Sequence, residues 1–319
     1  MIKRAIALIS LAAPAVASDF SLQWPIDCTL GDTCYIQQFV DHDPNASASD
    51  FACGPLTYDT HKGTDFALND LSIMEAGVDV LAAAPGRVVT TRDGMEDVIY
   101  TPDRAAQIEG RDCGNGLAID HGSGWRTQYC HLKQGSVIVK KGHRVDAGAV
   151  LGEVGLSGRT QFPHLHVTLR KNDQVVDPFA PEGRRICGLQ EKTLWAEAPV
   201  FQNGGIIRAG FADAPPAYDA IKAGQQSLTV FTPQSDVLAV WVHSFGAQAG
   251  DSYRIEIIGP DGAVLQKDAE QSRTQAQSFR FVGKRRPPDG WASGVYSATL
   301  SLIRDGVAID TAQITATVE

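Results

Sequence analysis

The chain has 319 residues, 28 of them basic and 37 acidic, giving a formal charge of −9 with 43% hydrophobic and 20% charged side chains. That apolar content excludes a disordered chain, and the negative balance excludes the basic footprint of a nucleic-acid binder, so no nucleic-acid partner is expected. The length predicts two domains, each large enough to bury its own core.

At the N-terminus, Lys3 and Arg4 precede an apolar stretch from Ala5 to Ala13, and Ala15-Val16-Ala17 is a small-residue cleavage site. Residues 1–17 therefore read as a secretory signal peptide. The apolar stretch is too short to cross a bilayer, so no stable membrane insertion is expected. Cleavage would take the formal charge from −9 to about −11. Export also decides how the six cysteines (Cys28, Cys34, Cys53, Cys113, Cys130 and Cys187) are read. An even number in an oxidising compartment favours disulfides over metal thiolates, with many connectivities open. Cys113 and Cys130 flank an apparent hairpin around His121-Gly122-Ser123-Gly124, which places them on neighbouring strands. Cys28 and Cys34 could close a short loop, which leaves Cys53 for Cys187.

Residues 18–54 read as a loop-rich lead-in held by disulfides, with a polar run beginning Asp41-His42-Asp43. From residue 55 to 187 the pattern becomes short apolar runs punctuated by Gly: Val78–Ala84, Gly86–Thr90, Leu117–Asp120, Ser136–Val139, Val150–Val154 and Leu165–Leu169. Short runs with frequent turns predict an all-β unit. The Gly- and Pro-bearing stretch 188–204 is the expected linker. Beyond it, 205–319 carries strand-like segments separated by turns such as Pro260-Asp261-Gly262 and Asp305-Gly306. That spacing predicts an immunoglobulin-like β-sandwich.

Three short patterns in the first β unit carry chemistry: His61-x-x-x-Asp65, Tyr129-Cys130-His131 and His164-Leu165-His166. On a strand, residues two or four apart share a face, so each pattern can converge on one place. Singly each is weak, because a lone His on a strand is more often structural than a ligand. Their order within one β unit raises their weight. Two neutral imidazoles and a carboxylate form a three-ligand shell suited to zinc with an open fourth position, the form of a catalytic site. The remaining His would serve as acid, base or oxyanion partner. Amide hydrolysis is the natural reaction class for that arrangement.

These motifs and their flanks, Gly63-Thr64-Asp65-Phe66-Ala67, Ala83-Ala84-Pro85-Gly86-Arg87-Val88, the Gly142 to Gly158 spacing and Val176-Asp177-Pro178, resemble the lysostaphin-type (LytM-type) zinc metallopeptidases, which cut the peptide part of peptidoglycan. The resemblance covers roughly residues 55–181. It implies an antiparallel β-sheet groove in which His61, Asp65 and His166 bind Zn2+ while His131 and His164 do catalytic proton and oxyanion work. It implies peptidoglycan peptides as substrate and, with the signal peptide and disulfides, a Gram-negative periplasm, where the D-alanine to diaminopimelate cross-link would be the target. The alternative is a catalytically silent wall-binding or amidase-activator protein on the same fold. Such proteins usually lose ligands, and here none is missing. Thr91 to Cys113 is longer than a minimal family hairpin needs. Cys130 stands where a small residue is usual, either as a redox gate or, preferred here, as a disulfide with Cys113. Asp41-His42-Asp43 is either a fourth ligand that holds the site latent or, the reading preferred here, a solvated loop. The C-terminal sandwich lacks clustered His, Cys or carboxylates, so it reads as a spacer or as a module that binds a wall or protein partner.

Overall fold

The structure, a computed structural model, describes residues 20–188 and 190–319, so the expected signal peptide lies outside the described residues. The first unit contains β1 (Cys34–Gln38), β2 (Thr64–Leu68), β3 (Asp79–Leu81), β4 (Gly86–Arg92), β5 (Asn115–Gly122), β6 (Trp125–Leu132), β7 (Arg144–Val145), β8 (Val150–Glu153), β9 (His164–Lys171) and β10 (Gln174–Val176). Eight of these strands form one sheet in the order β1-β2-β9-β6-β5-β4-β7, with β10 also paired to β9, while β3 and β8 form a separate pair. All pairings in this sheet are antiparallel.

Alternation along the strands sorts the side chains. Leu165, Val167 and Leu169 of β9, Tyr129 of β6, Leu117 and Ile119 of β5, and Phe66 of β2 are buried in one core. The intervening residues, among them His164, His166, Thr168 and Arg170 of β9, face the other way. The period of two therefore separates the residues that hold the sheet together from those that carry its chemistry.

The second unit contains β11 (Gly205–Ala212), β12 (Val230–Phe231), β13 (Val237–Ala247), β14 (Ser252–Gly259), β15 (Gly262–Glu270), β16 (Gln275–Arg285), β17 (Gly294–Arg304) and β18 (Val307–Val318). They form a three-stranded sheet, β11-β13-β16, and a five-stranded sheet, β12-β18-β17-β14-β15. Leu238, Val240 and Val242 of β13 meet Tyr253, Ile255 and Ile257 of β14 and Leu300 and Leu302 of β17 in a second core. The chain is mostly β, with only short helices among the described residues.

Several expectations are corrected. The lead-in is not merely loop, because β1 is an edge strand of the main sheet and pairs with β2. Its Gln37 is fully buried, a polar residue that hid the strand in the sequence. Ser136–Val139 is not a strand; Ser136 N–H closes a turn onto Lys133 O, and one bond from Ile138 N–H to Leu151 O ties the segment down. Within the expected linker, Trp195 is buried against the first core and bridges to Leu22.

The two units touch. The rings of Tyr35 and Phe245 lie 4.7 Å apart, Gln37 Nε2 donates to Ala276 O at 2.8 Å, and Arg208 pairs with the buried Asp70. The cysteines join as Cys28–Cys34, Cys53–Cys187 and Cys113–Cys130, with no free cysteine among the described residues. These are the pairs expected from the sequence, and they suggest an extracytoplasmic, oxidising compartment.

Candidate metal centre

His61 lies in the loop before β2, not in a strand as its spacing to Asp65 suggested. It reaches Asp65 all the same, with His61 Nε2 3.2 Å from Asp65 Oδ1. The loop is fixed by Asp41, whose carboxylate accepts from Ser49 and Thr60 N–H and whose own N–H donates to His61 O. His42 pairs with the buried Asp177 at 2.7 Å. The Asp41-His42-Asp43 run thus braces the His61 loop and is neither a freely solvated loop nor part of the metal-ligand cluster among the described residues.

Register brings in the other ligand. Asp65 of β2 is the direct cross-strand partner of His166 of β9, so their side chains project from the same face. His166 Nδ1 lies 2.7 Å from Asp65 Oδ1 and 3.2 Å from His61 Nε2. Among the described residues, His61, Asp65 and His166 are those whose donor atoms cluster tightly enough to hold a metal ion. The second ring nitrogens are already engaged: His61 Nδ1 donates to Phe39 O at 2.6 Å, and His166 Nε2 to Thr168 Oγ1 at 2.9 Å. The Phe39 carbonyl can only accept, so it fixes the His61 tautomer that leaves the Nε2 lone pair facing the cluster, while the Thr168 hydroxyl orients the His166 ring with Nδ1 towards it.

Close approach demands a glycine at one position. A Cβ at Gly63 would sit 2.6 Å from the His166 ring and from Val167 O, so any side chain there pushes the ligand away. The glycine that opens the G-T-D-F-A flank is thus a steric requirement of the cluster.

His131 and His164 complete the set. β6 carries an irregularity in register against β5 where Asn115 faces Leu132 and Gly116 faces Cys130, which leaves His131 as the extra residue. It has φ of 65°, in the left-handed region. A bulge of this kind re-aims a side chain at the end of a strand. Its Nδ1 donates to Ser157 O at 2.8 Å, and Ser157 is locked in turn by Asn115 N–H and Leu132 O. The His131 ring lies 4.6 Å from that of His164. His164 Nδ1 is 3.0 Å from both Thr160 Oγ1 and Phe162 O, and its Nε2 stands 3.7 Å from Asp65 Oδ1. The Cys113–Cys130 disulfide lies immediately before His131, whose N–H donates to Cys113 O.

The electrostatics follow from burial around one carboxylate. Burial alone would raise Asp65, but His61, His164 and His166 together hold it well below the usual carboxylate range. For His61, burial is outweighed by the Asp65 charge and hydrogen bond, so its pKa is raised. Burial, reinforced by His164 and His166, pushes His131 well below its ordinary value. Burial likewise lowers His164 against the pull of Asp65. The neutral forms of His131 and His164 are therefore favoured, each able to accept a proton at Nε2.

The five expected site residues come together in one cluster. Sequence reading missed the supports: Thr168 and Thr160, whose hydroxyls orient the two His of the H-x-H motif, and Phe39 O, which no side-chain pattern could reveal. Tyr58, 52% exposed with its ring 4.5 Å from that of His61, was missed as well. Only its place three residues before His61 could have signalled it.

Residues 59–178 match peptidase family M23. The chain is 35% identical over 109 residues to the peptidoglycan DD-endopeptidase ShyA of Vibrio cholerae, covering 34% of this chain and 20% of that protein. It is 31% identical over 123 residues to the DD-carboxypeptidase/endopeptidase Mpg of Neisseria meningitidis, covering 39% of this chain and 24% of that protein. The chain thus spans about a fifth to a quarter of the length of these relatives. Among solved structures, the catalytic domain of the antimicrobial peptidase lysostaphin from Staphylococcus simulans is 27% identical, covering 37% of this chain and 76% of that one with a TM-score of 0.27. The His-Asp-His cluster thus lies within residues 59–178, the part of the chain that matches the M23 peptidase family.

Proposed function

We propose that this protein is an exported zinc-dependent endopeptidase that hydrolyses the peptide stems or cross-links of peptidoglycan. The observation that carries the reading is the convergence of His61 Nε2, Asp65 Oδ1 and His166 Nδ1, 2.7 to 3.2 Å from one another, with the second nitrogen of each imidazole already engaged. Tetrahedral zinc with ligands at about 2.1 Å separates its donors by about 3.4 Å, so the donor set fits that ion. His61, Asp65 and His166 would hold it. When bound, zinc supplies Lewis-acid polarisation of a carbonyl and acidification of water.

The remaining steps fall to the chain's own residues. His131 Nε2, left free by the bond of Nδ1 to Ser157 O and kept neutral by burial, takes a proton from the attacking water and returns it to the leaving amine. His164, its ring tilted against that of His131 at 4.6 Å, lies beside the cluster where a developing oxyanion would form, and in its protonated form would donate to it. Asp65 serves two ends: its charge would help hold the metal, and it biases the neighbouring imidazoles.

The three disulfides and the relatives' described activities support a periplasmic site of action and the DD cross-link as target. The second unit, read as an immunoglobulin-like sandwich of residues 205–319, would bind wall or a protein partner. Residues 55–187 would be the peptidase domain, with 18–54 and 188–204 flanking it. The test is digestion of purified sacculi with identification of released fragments by mass spectrometry. New uncross-linked peptide termini, abolished by a chelator and restored by zinc, are expected. Binding to sacculi without new termini would instead establish the silent wall-binding alternative.

A further inference from the structure

The open face of the main sheet continues past the metal cluster. Register aligns its side chains in cross-strand rows. One row runs Arg92, Gly116, Cys130, His166 and Asp65; a second runs Thr90, Ala118, Gln128 and Thr168; a third runs Asp120, Arg126 and Arg170. On this face opens a cleft of about 660 Å³ whose lining includes Gly116, Ala118, Gln128, Arg92, Arg126 and Arg170. Small residues make its floor and guanidinium groups its walls. Asp173 is the one acid in the lining; it is largely exposed and stands 3.6 Å from Arg126. An exposed pair at that distance holds an arginine only weakly. Arg92 is fixed through Nε by Gly114 O, and Arg170 uses one Nη on Asp173 O. Much of the donor capacity of these groups is therefore uncommitted.

Such a basic cleft is out of keeping with a chain of formal charge −9. Arg92 lies three strands from His166, roughly 14 Å, and Arg170 lies four residues along the same strand, roughly 13 Å. Allowing for the reach of an arginine, an extended peptide with its scissile bond at the metal cluster brings a carboxylate about two to four residues away within range. The planar fork of arginine matches a carboxylate in bidentate fashion.

We infer that Arg92, Arg126 and Arg170 are specificity-determining residues that read free carboxylates on the substrate peptide, so that a peptide with those carboxylates amidated is the poorer substrate. The inference rests on the peptidase reading of the adjacent cluster. It explains how an acidic protein can recognise an acidic peptide: attraction is local to the cleft rather than spread over the surface.

The test uses the full mature chain and two synthetic cross-linked peptides that differ only in free carboxylate against carboxamide. Wild type should favour the carboxylate form by about ten-fold in kcat/KM, mainly through KM, with the preference weakening as salt rises. In an Arg126→Gln/Arg170→Gln double variant with unchanged metal content, the ratio should fall towards one, and Arg170→Lys should retain part of it. Equal rates on both peptides in wild type, or an unchanged ratio in the double variant, would overturn the inference and leave the peptidase reading standing. Cleavage of neither peptide would overturn the peptidase reading instead. Fluorescence anisotropy of the same two peptides then decides the arginine assignment: carboxylate-selective binding lost in the double variant supports it, and binding without selectivity refutes it.

Discussion

His166 and His131 stand near one another but should fail differently when removed. His166→Ala deletes a donor atom of the cluster. Purified variant protein should lose both its zinc, by elemental analysis, and its hydrolysis of sacculi, and a variant that stayed active would refute the ligand assignment. His131→Ala removes no donor of that cluster, so zinc content should be unchanged while kcat falls by about 10²- to 10⁴-fold. Gly63→Ala tests the steric requirement: with a Cβ 2.6 Å from the His166 ring, metal affinity should drop without loss of the fold, measured by competition with a chromogenic chelator. A separate residue-scale effect lies at the junction of the two units. Burial first, aided by the Arg208 and Lys222 charges, lowers His243 from 6.5 to about 4, and its Nδ1 is buried without a partner. The folded state therefore resists protonation where the unfolded chain accepts it. Stability from this group is complete above the unfolded pKa and lost as pH falls from about 6.5 towards 4, by about 3 kcal/mol in all. Denaturant unfolding of wild type and His243→Gln between pH 7 and 4 should show the difference between them shrinking over that interval as the pH falls.

Among the elements, the end of β6 and the Gly155-x-Ser157-Gly158 loop act together. Ser157 is fully buried and binds Asn115 N–H, Leu132 O and His131 Nδ1 at once. Ser157→Ala would orphan the Asn115 N–H, at a cost of about 2 kcal/mol, and loosen the segment that carries the His131 acceptor. A lower melting temperature with reduced kcat and intact zinc is the expected result; unchanged kcat would show that the loop does not position His131. This element was partly legible. The Gly-x-Ser-Gly text could be seen in the sequence, but the bulge that makes His131 the extra residue depends on how β5 and β6 slide against each other. Pairing register is not written in either strand alone. β1 shows the same gap. Its five residues include a buried glutamine satisfied by Ala276 of the second unit, so its sequence reads as loop until its partner is known.

At the scale of the whole molecule the two units are not independent beads. Asp70 caps the helix Leu71–Ala76 through Ile73 N–H and also pairs with Arg208 from β11, both side chains largely buried. Arg208→Ala would leave a buried carboxylate without its counter-ion, at a cost of about 3 kcal/mol. Thermal unfolding should shift down accordingly, and an unchanged midpoint would mean the contact carries no weight. By itself the sequence carried the β class of both units, the family resemblance of roughly residues 55–181, the residues of the cluster and a plausible set of disulfide pairs among many open connectivities. Those features are local in text: alternation of period two, short motifs, and cysteine spacing read against export. Only the tertiary structure decided which nitrogen of each imidazole is free, why position 63 has no side chain, how β1 and Trp195 join the first core, and where arginines from three strands meet. Each of these depends on atoms brought together from distant parts of the chain, where register and packing rather than spacing set the distance.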